Sequence, residues 1–185
     1  LIPLTNYTIS VVADCGTEVS PARTINVTTT MLAEALPVNT GFEVGQDTSW
    51  LLINGTQLNQ WVIDAAANNG GSRALYISSD NGVTNDYDVT NLSNVYATKL
   101  LNFATAGDYA VSYDWRAYGE SNYDYLRVFL VPGTVELNAG DNSGIDYSGA
   151  PTGWISLDGD SELNLSSSWQ TYSDVFSVAA PGNYN

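Results

Sequence analysis

Gly107-Asp108-Tyr109-Ala110-Val111-Ser112-Tyr113-Asp114-Trp115 is the stretch that decides the fold: tyrosine, valine and tryptophan gather in one short run opened by a glycine, the composition of a pleated strand. Similar runs lie on both sides. Tyr96 to Leu101 precedes it, and Tyr123 to Val131 follows, with Leu126, Val128 and Leu130 alternating against Arg127 and Phe129 at the strand period of two. Further out, Leu51-Leu52-Ile53 ends at an Asn54-Gly55 turn and Trp61-Val62-Ile63 resumes beyond it. Asn69-Gly70-Gly71 breaks the chain before Ala74-Leu75-Tyr76-Ile77-Ser78, and Trp169 to Val178 is the last long strand. Polar loops run from Ser79 to Thr90 and from Gly133 to Gly153, while the best helical candidate, Thr30 to Leu36, is too short to be more than a connector. The pattern predicts an all-β chain, an antiparallel β-sandwich of jelly-roll type.

Composition points the same way and excludes several partners. The 185 residues include 12 Tyr, 5 Trp and 16 Gly, the glycines scattered among turn-forming residues. Five basic residues stand against 20 acidic ones, for a net charge of −15, so nucleic acid and anionic membrane surfaces are repelled. Divalent cations and neutral glycans stay open as partners. A single cysteine, Cys15, offers no internal disulfide, so the core must hold the fold. No segment approaches the roughly 20 apolar residues of a membrane span, so no membrane insertion is expected. Leu1 does not open a signal peptide; if the protein is exported, its signal lies outside this chain.

The N-terminal segment reads separately. Tyr7 to Ala13 places Tyr7, Ile9, Val11 and Ala13 on one face of a half-buried strand, a loop from Asp14 to Pro21 follows, and Arg23 to Thr30 returns with Ile25 and Val27 on one side. Together they predict a hairpin. Two strands are marginal alone, so residues 1–30 are expected to be the tail of a sandwich, 31–40 a linker carrying Pro37, and 41–185 the main domain. Further domains of the same polypeptide are expected on both sides, because Gly182-Asn183-Tyr184 reads as the opening of another strand and the sandwich as incomplete at its C-terminal end.

The stretch Leu1-Ile2-Pro3-Leu4-Thr5-Asn6-Tyr7-Thr8-Ile9-Ser10-Val11-Val12-Ala13 resembles the signature of fibronectin type III domains, which implies the last two strands of that fold, with Tyr7 as a core tyrosine. A second resemblance covers residues 40–180. Phe42-Glu43, Trp50, Ile53-Asn54-Gly55, Asn59 and Trp61, Ala74 to Ser78 with Asp80-Asn81-Gly82, Tyr113-Asp114-Trp115-Arg116, Gly119-Glu120 and Asp124 to Val128 resemble the choice-of-anchor J modules of Bacteroidetes surface proteins, which are similar to cleaved-adhesin and MAM-type jelly rolls. That likeness implies a secreted, multi-domain cell-surface protein, often exported by the type IX route, with a role in adhesion or glycan contact. It also implies a structural calcium near the first strand, with Glu43 as a carboxylate ligand.

Calcium needs six to eight oxygens, and two places bring acids together: Glu43 with Asp47, and the segment holding Asp80, Asp86 and Asp88. Either is otherwise a solvated acidic loop. Among the tryptophans, Trp115 and Trp169 lie in strand patterns and belong to the core or its rim; Trp50, Trp61 and Trp154 belong to the core or its rim or form a sugar-stacking platform. Without histidine, Ser-His-Asp and Cys-His catalysis and His-bearing zinc sites are impossible, and nothing singles out a glycosidase pair of carboxylates. Arg116 and Glu120 are expected to pair across a tight turn. Sequons at Asn6, Asn26, Asn54, Asn91 and Asn164 favour surface exposure only weakly. The expected function is a non-catalytic adhesion or binding module for glycan or a surface protein, outside the cell or on its surface. The alternatives are a structural stalk spacer and an accessory carbohydrate-binding module of a secreted hydrolase or peptidase.

Overall fold

The computed structural model describes residues 5–145 and 149–185. Leu1 to Leu4 of the N-terminal motif and Asp146-Tyr147-Ser148 of the long loop lie outside the described residues. The chain is all-β, with no helix among the described residues, and forms two units, Leu1–Leu32 and Ala33–Asn185.

In the small unit, β1 (Asn6–Val11) pairs antiparallel with β2 (Arg23–Thr28), setting Tyr7 opposite Val27 and Ile9 opposite Ile25. The turn region is closed by an Asp14–Val19 bridge and by Gly16 at φ +86°, where a side chain would be strained. The expected half-buried face is instead open: Ile9, Val11 and Ile25 are 47%, 63% and 60% exposed. A two-stranded ribbon has nothing of its own to lay over that face.

The large unit begins earlier than the expected linker allows. Glu34 and Ala35 form β3 (Glu34–Ala35), which pairs parallel with β8 (Leu101–Phe103). On the other side β8 pairs with β13 (Gly182–Tyr184); the Asn183 carbonyl accepts from Gly133 N and Asn185 just beyond exchanges backbone bonds with Val131, so the Gly182-Asn183-Tyr184 segment is a strand hydrogen-bonded on both edges. Shorter pairs complete the framework: β4 (Leu51–Ile53) with β7 (Tyr96–Thr98), β5 (Gln60–Asp64) with β6 (Ala74–Ser78), and β10 (Phe129–Leu130) with β11 (Ile155–Ser156). The longest ribbon joins β9 (Gly107–Ala117) to β12 (Ser166–Val178).

Alternation along β9 turns Tyr109, Val111, Tyr113 and Trp115 inward. Tyr109 and Val111 pack on the core of Phe103, Leu130, Leu157 and Val178, where Phe103 meets the Tyr109 and Tyr184 rings edge-on at 4.7 and 5.4 Å. A smaller cluster of Ala67, Ala74 and Tyr76 sits with Val62 under β5 and β6.

Two expected strands come out differently. Tyr96 to Leu101 is broken at Lys99-Leu100, because β7 belongs to one sheet and β8 to another, and buried Lys99 pins the crossing through an ion pair to Glu34 at 2.6 Å. Tyr123 to Val131 is strand only at Phe129–Leu130, with an isolated bridge from Leu126 to Leu163. Arg127, placed outward by the alternation, has its side chain 4% exposed and bonded to the fully buried Asp158 through Nε–Oδ2 at 2.7 Å. A buried guanidinium needs a paired carboxylate, and Asp158 supplies it from 31 residues away.

Candidate ligand-binding surface

All five tryptophans are half-buried, and the rings of Trp50, Trp61, Trp154 and Trp169 have neighbours of their own. Trp50 packs at 5.3 Å on Phe42 with the Lys99 ammonium 5.8 Å from its ring. Trp61 donates Nε1–H to the Val95 carbonyl at 3.2 Å, and Trp154 meets Phe129 edge-on at 5.5 Å. Trp169 carries the Arg116 guanidinium 5.2 Å from its centroid, so Arg116 stacks on an aromatic ring where a pair with Glu120 was expected. That partner lies across β9 and β12, beyond the reach of a local turn reading.

The acids singled out for calcium are spent on other donors. Glu43 accepts from Ser72 N at 2.8 Å, Arg73 N at 3.3 Å and the Ser72 hydroxyl, an approach so close that a Cβ on Gly71 would collide with its carboxylate. Asp47 pairs with Arg73 Nη1 at 2.8 Å. Hydrogen bonds from Ser72 to Glu43, and from Arg73 to Asp47, hold both carboxyls below their ordinary pKa values. Asp80 accepts from Ser78 Oγ and from the Thr84 amide and hydroxyl; Asp88 accepts from Thr90 and Asn91; Asp86 accepts from Tyr87 N. Among the described residues no group of three or more Asp, Glu, Cys or His side chains is placed to hold a metal. The Glu43–Asp47 corner therefore fits a guanidinium and not calcium, and the Asp80 segment consists of separate local turns.

A different surface is left open. One residue past the end of β9, Tyr118 is 71% exposed, and Tyr123 on the same loop is exposed to the same extent. The loop between them is braced at several points. Asn164 accepts from Gly119 N at 2.9 Å and donates to the Glu120 carbonyl at 3.2 Å; Asp124 Oδ2 accepts from Glu120 N at 2.9 Å. Gly119 lies so close beneath the Tyr87 hydroxyl and Asp124 that any Cβ would collide. Burial and the hydrogen bond to Asp124 push the Tyr87 hydroxyl up to about 12, keeping it neutral and able to donate. Asn122, at φ +67°, turns the chain just before Tyr123. A loop braced by these hydrogen bonds thus offers two tyrosine rings to solvent.

The sequence reading passed over these tyrosines. A signal existed: Tyr118 continues the outward parity of Asp114 and Arg116 beyond the strand, and Gly119 and Asn122 mark turns on either side of Glu120. Among the described residues no helix is long and apolar enough to cross a membrane. No protein-family model, curated protein or solved structure matches the chain. The fibronectin type III and choice-of-anchor J resemblances thus rest on their motifs.

Proposed function

We propose that this chain is a non-catalytic binding module of a secreted or cell-surface protein, taking an uncharged glycan chain on the loop of Tyr118 and Tyr123. The braced display of two exposed tyrosines carries the reading: a tyrosine face packs on the apolar face of a sugar ring, and a loop already braced loses little entropy on binding. Electrostatics narrow the ligand. Of the five basic residues, Arg73, Lys99 and Arg127 sit in ion pairs, Arg116 covers Trp169 and Arg23 belongs to the hairpin unit. Acids outnumber them on a chain of net charge −15, which disfavours sulfated, sialylated or uronic chains.

A glycan array with the wild type, Tyr118→Ala, Tyr123→Ala and the double variant tests this. Neutral glycans should be retained by the wild type, each alanine should weaken binding about tenfold, and the double variant should lose it. Undiminished binding by the double variant would remove the loop from the site. Binding to no glycan would favour the spacer role, and selective capture of anionic glycans would defeat the electrostatic reading.

A further inference from the structure

The resemblance that implies calcium at Glu43 meets a different cation. Arg73 enters this corner just before β6, with its side chain 18% exposed, and its guanidinium is held from two directions. Nη1 donates to Asp47 Oδ2 at 2.8 Å and Nη2 donates to the Ile63 carbonyl at 2.6 Å. A carboxylate oxygen and a backbone carbonyl are also the oxygen types that a calcium ion collects. Glu43 completes the corner from the other side, gripping the Ser72 and Arg73 amides and the Ser72 hydroxyl, so the backbone that carries Arg73 is fixed by the acid expected to hold the metal. The guanidinium brings a full positive charge and fixed N–H directions without a metal's need for six or more ligands.

We infer that Arg73 is the resident cation of the Glu43–Asp47 corner and that it excludes calcium from it. One positive charge already neutralises Asp47, and a divalent ion entering there would face a guanidinium at contact distance. The chain's oxygens would accept a metal only once that charge is gone. This inference is independent of the glycan reading, because the corner contains neither Tyr118 nor Tyr123.

Isothermal titration with calcium chloride and paired melting curves in calcium and in chelator test it, on the wild type, Arg73→Ala, Asp47→Asn and Arg73→Ala/Asp47→Asn. The wild type should show the same midpoint in calcium and in chelator. Arg73→Ala should melt lower, recover part of the loss in millimolar calcium, bind calcium at least tenfold more tightly than the wild type, and lose that gain when Asp47→Asn is added. Arg73→Gln, which keeps more of the side-chain volume, replaces Arg73→Ala if the latter does not fold, with the same expectations. Calcium binding by the wild type that Asp47→Asn abolishes would overturn the inference, as would variants lacking Arg73 that fold and gain no calcium affinity.

Discussion

At Asp80 the carboxylate accepts hydrogen bonds from Ser78 Oγ and from the amide and hydroxyl of Thr84, and these donors lower its pKa from 3.8 to about 2. A carboxyl depressed in the folded state contributes stability above its unfolded value of about 3.9, and that contribution fades as pH falls through the folded value. Glu34, Glu43, Asp47 and Asp88 shift in the same direction, Glu34 through its hydrogen bond from Lys99 and Asp88 through that from Thr90. The melting midpoint of the wild type should therefore decline as pH drops from about 4 toward 2. Asp80→Asn should start lower at neutral pH and decline less steeply, and parallel slopes for the two proteins would remove Asp80 from the acid response. The spacing Ser78-x-Asp80 was visible in the sequence, but only the folded turn revealed the further donors on Thr84.

The same local device recurs at the ends of two strands. After β6, Ser78 Oγ donates to Asp80 Oδ1 at 2.6 Å and accepts from Gly82 N at 2.9 Å; after β11, Ser156 Oγ donates to Asp158 Oδ1 at 2.7 Å and accepts from Asp160 N at 2.9 Å. The stretches read Tyr76-Ile77-Ser78-Ser79-Asp80 and Trp154-Ile155-Ser156-Leu157-Asp158. Their surroundings differ: Asp80 is half-buried, whereas Asp158 is buried, accepts from Val128 N at 2.8 Å and carries the bond to Arg127 that ties the segment before β10 to the end of β11. Asp158→Ala should destabilise the unit by about 3–5 kcal/mol, because it removes the carboxylate from a buried guanidinium. Arg127→Met/Asp158→Leu should cost less than Asp158→Ala alone, since no buried charge is then left without its partner. Denaturant unfolding of the two variants decides it: a double variant less stable than the single one would mean that the hydrogen bonds of the pair, and not its charge balance, hold the two elements together.

For the whole molecule, the excess of acids sets the response to salt. With a net charge of −15, self-repulsion opposes the compact state, and the three ion pairs found among the described residues offset little of it. Salt at about 0.1 M shortens the electrostatic range to about 10 Å, which weakens the long-range repulsion more than contacts at 2.6–2.8 Å. The melting midpoint should rise with sodium chloride from low millimolar to a few tenths molar. A midpoint that falls over that range would show that the ion pairs outweigh the repulsion.

The sequence alone determined what local chemistry can determine. Strand residues and turn residues alternate along the chain, so the all-β class and most strand positions could be read directly, and the lack of histidine excluded whole classes of catalysis. Tertiary structure decided which faces are covered and which charges meet. Alternation gives the parity of Arg127 but not the buried Asp158 that draws it inward, and β3 becomes a strand only because Leu101 and Asn102 lie beside it. Glu43 and Asp47 read as candidate metal ligands or a solvated loop, and only the fold brings Arg73 to them from 26 residues beyond Asp47; Trp50, Trp61 and Trp154 read as core, rim or platform, and only the fold supplies their ring neighbours. Tyr118 and Tyr123 are left uncovered for the same reason: exposure is what remains after every long-range contact has formed, and no short window of sequence contains those contacts.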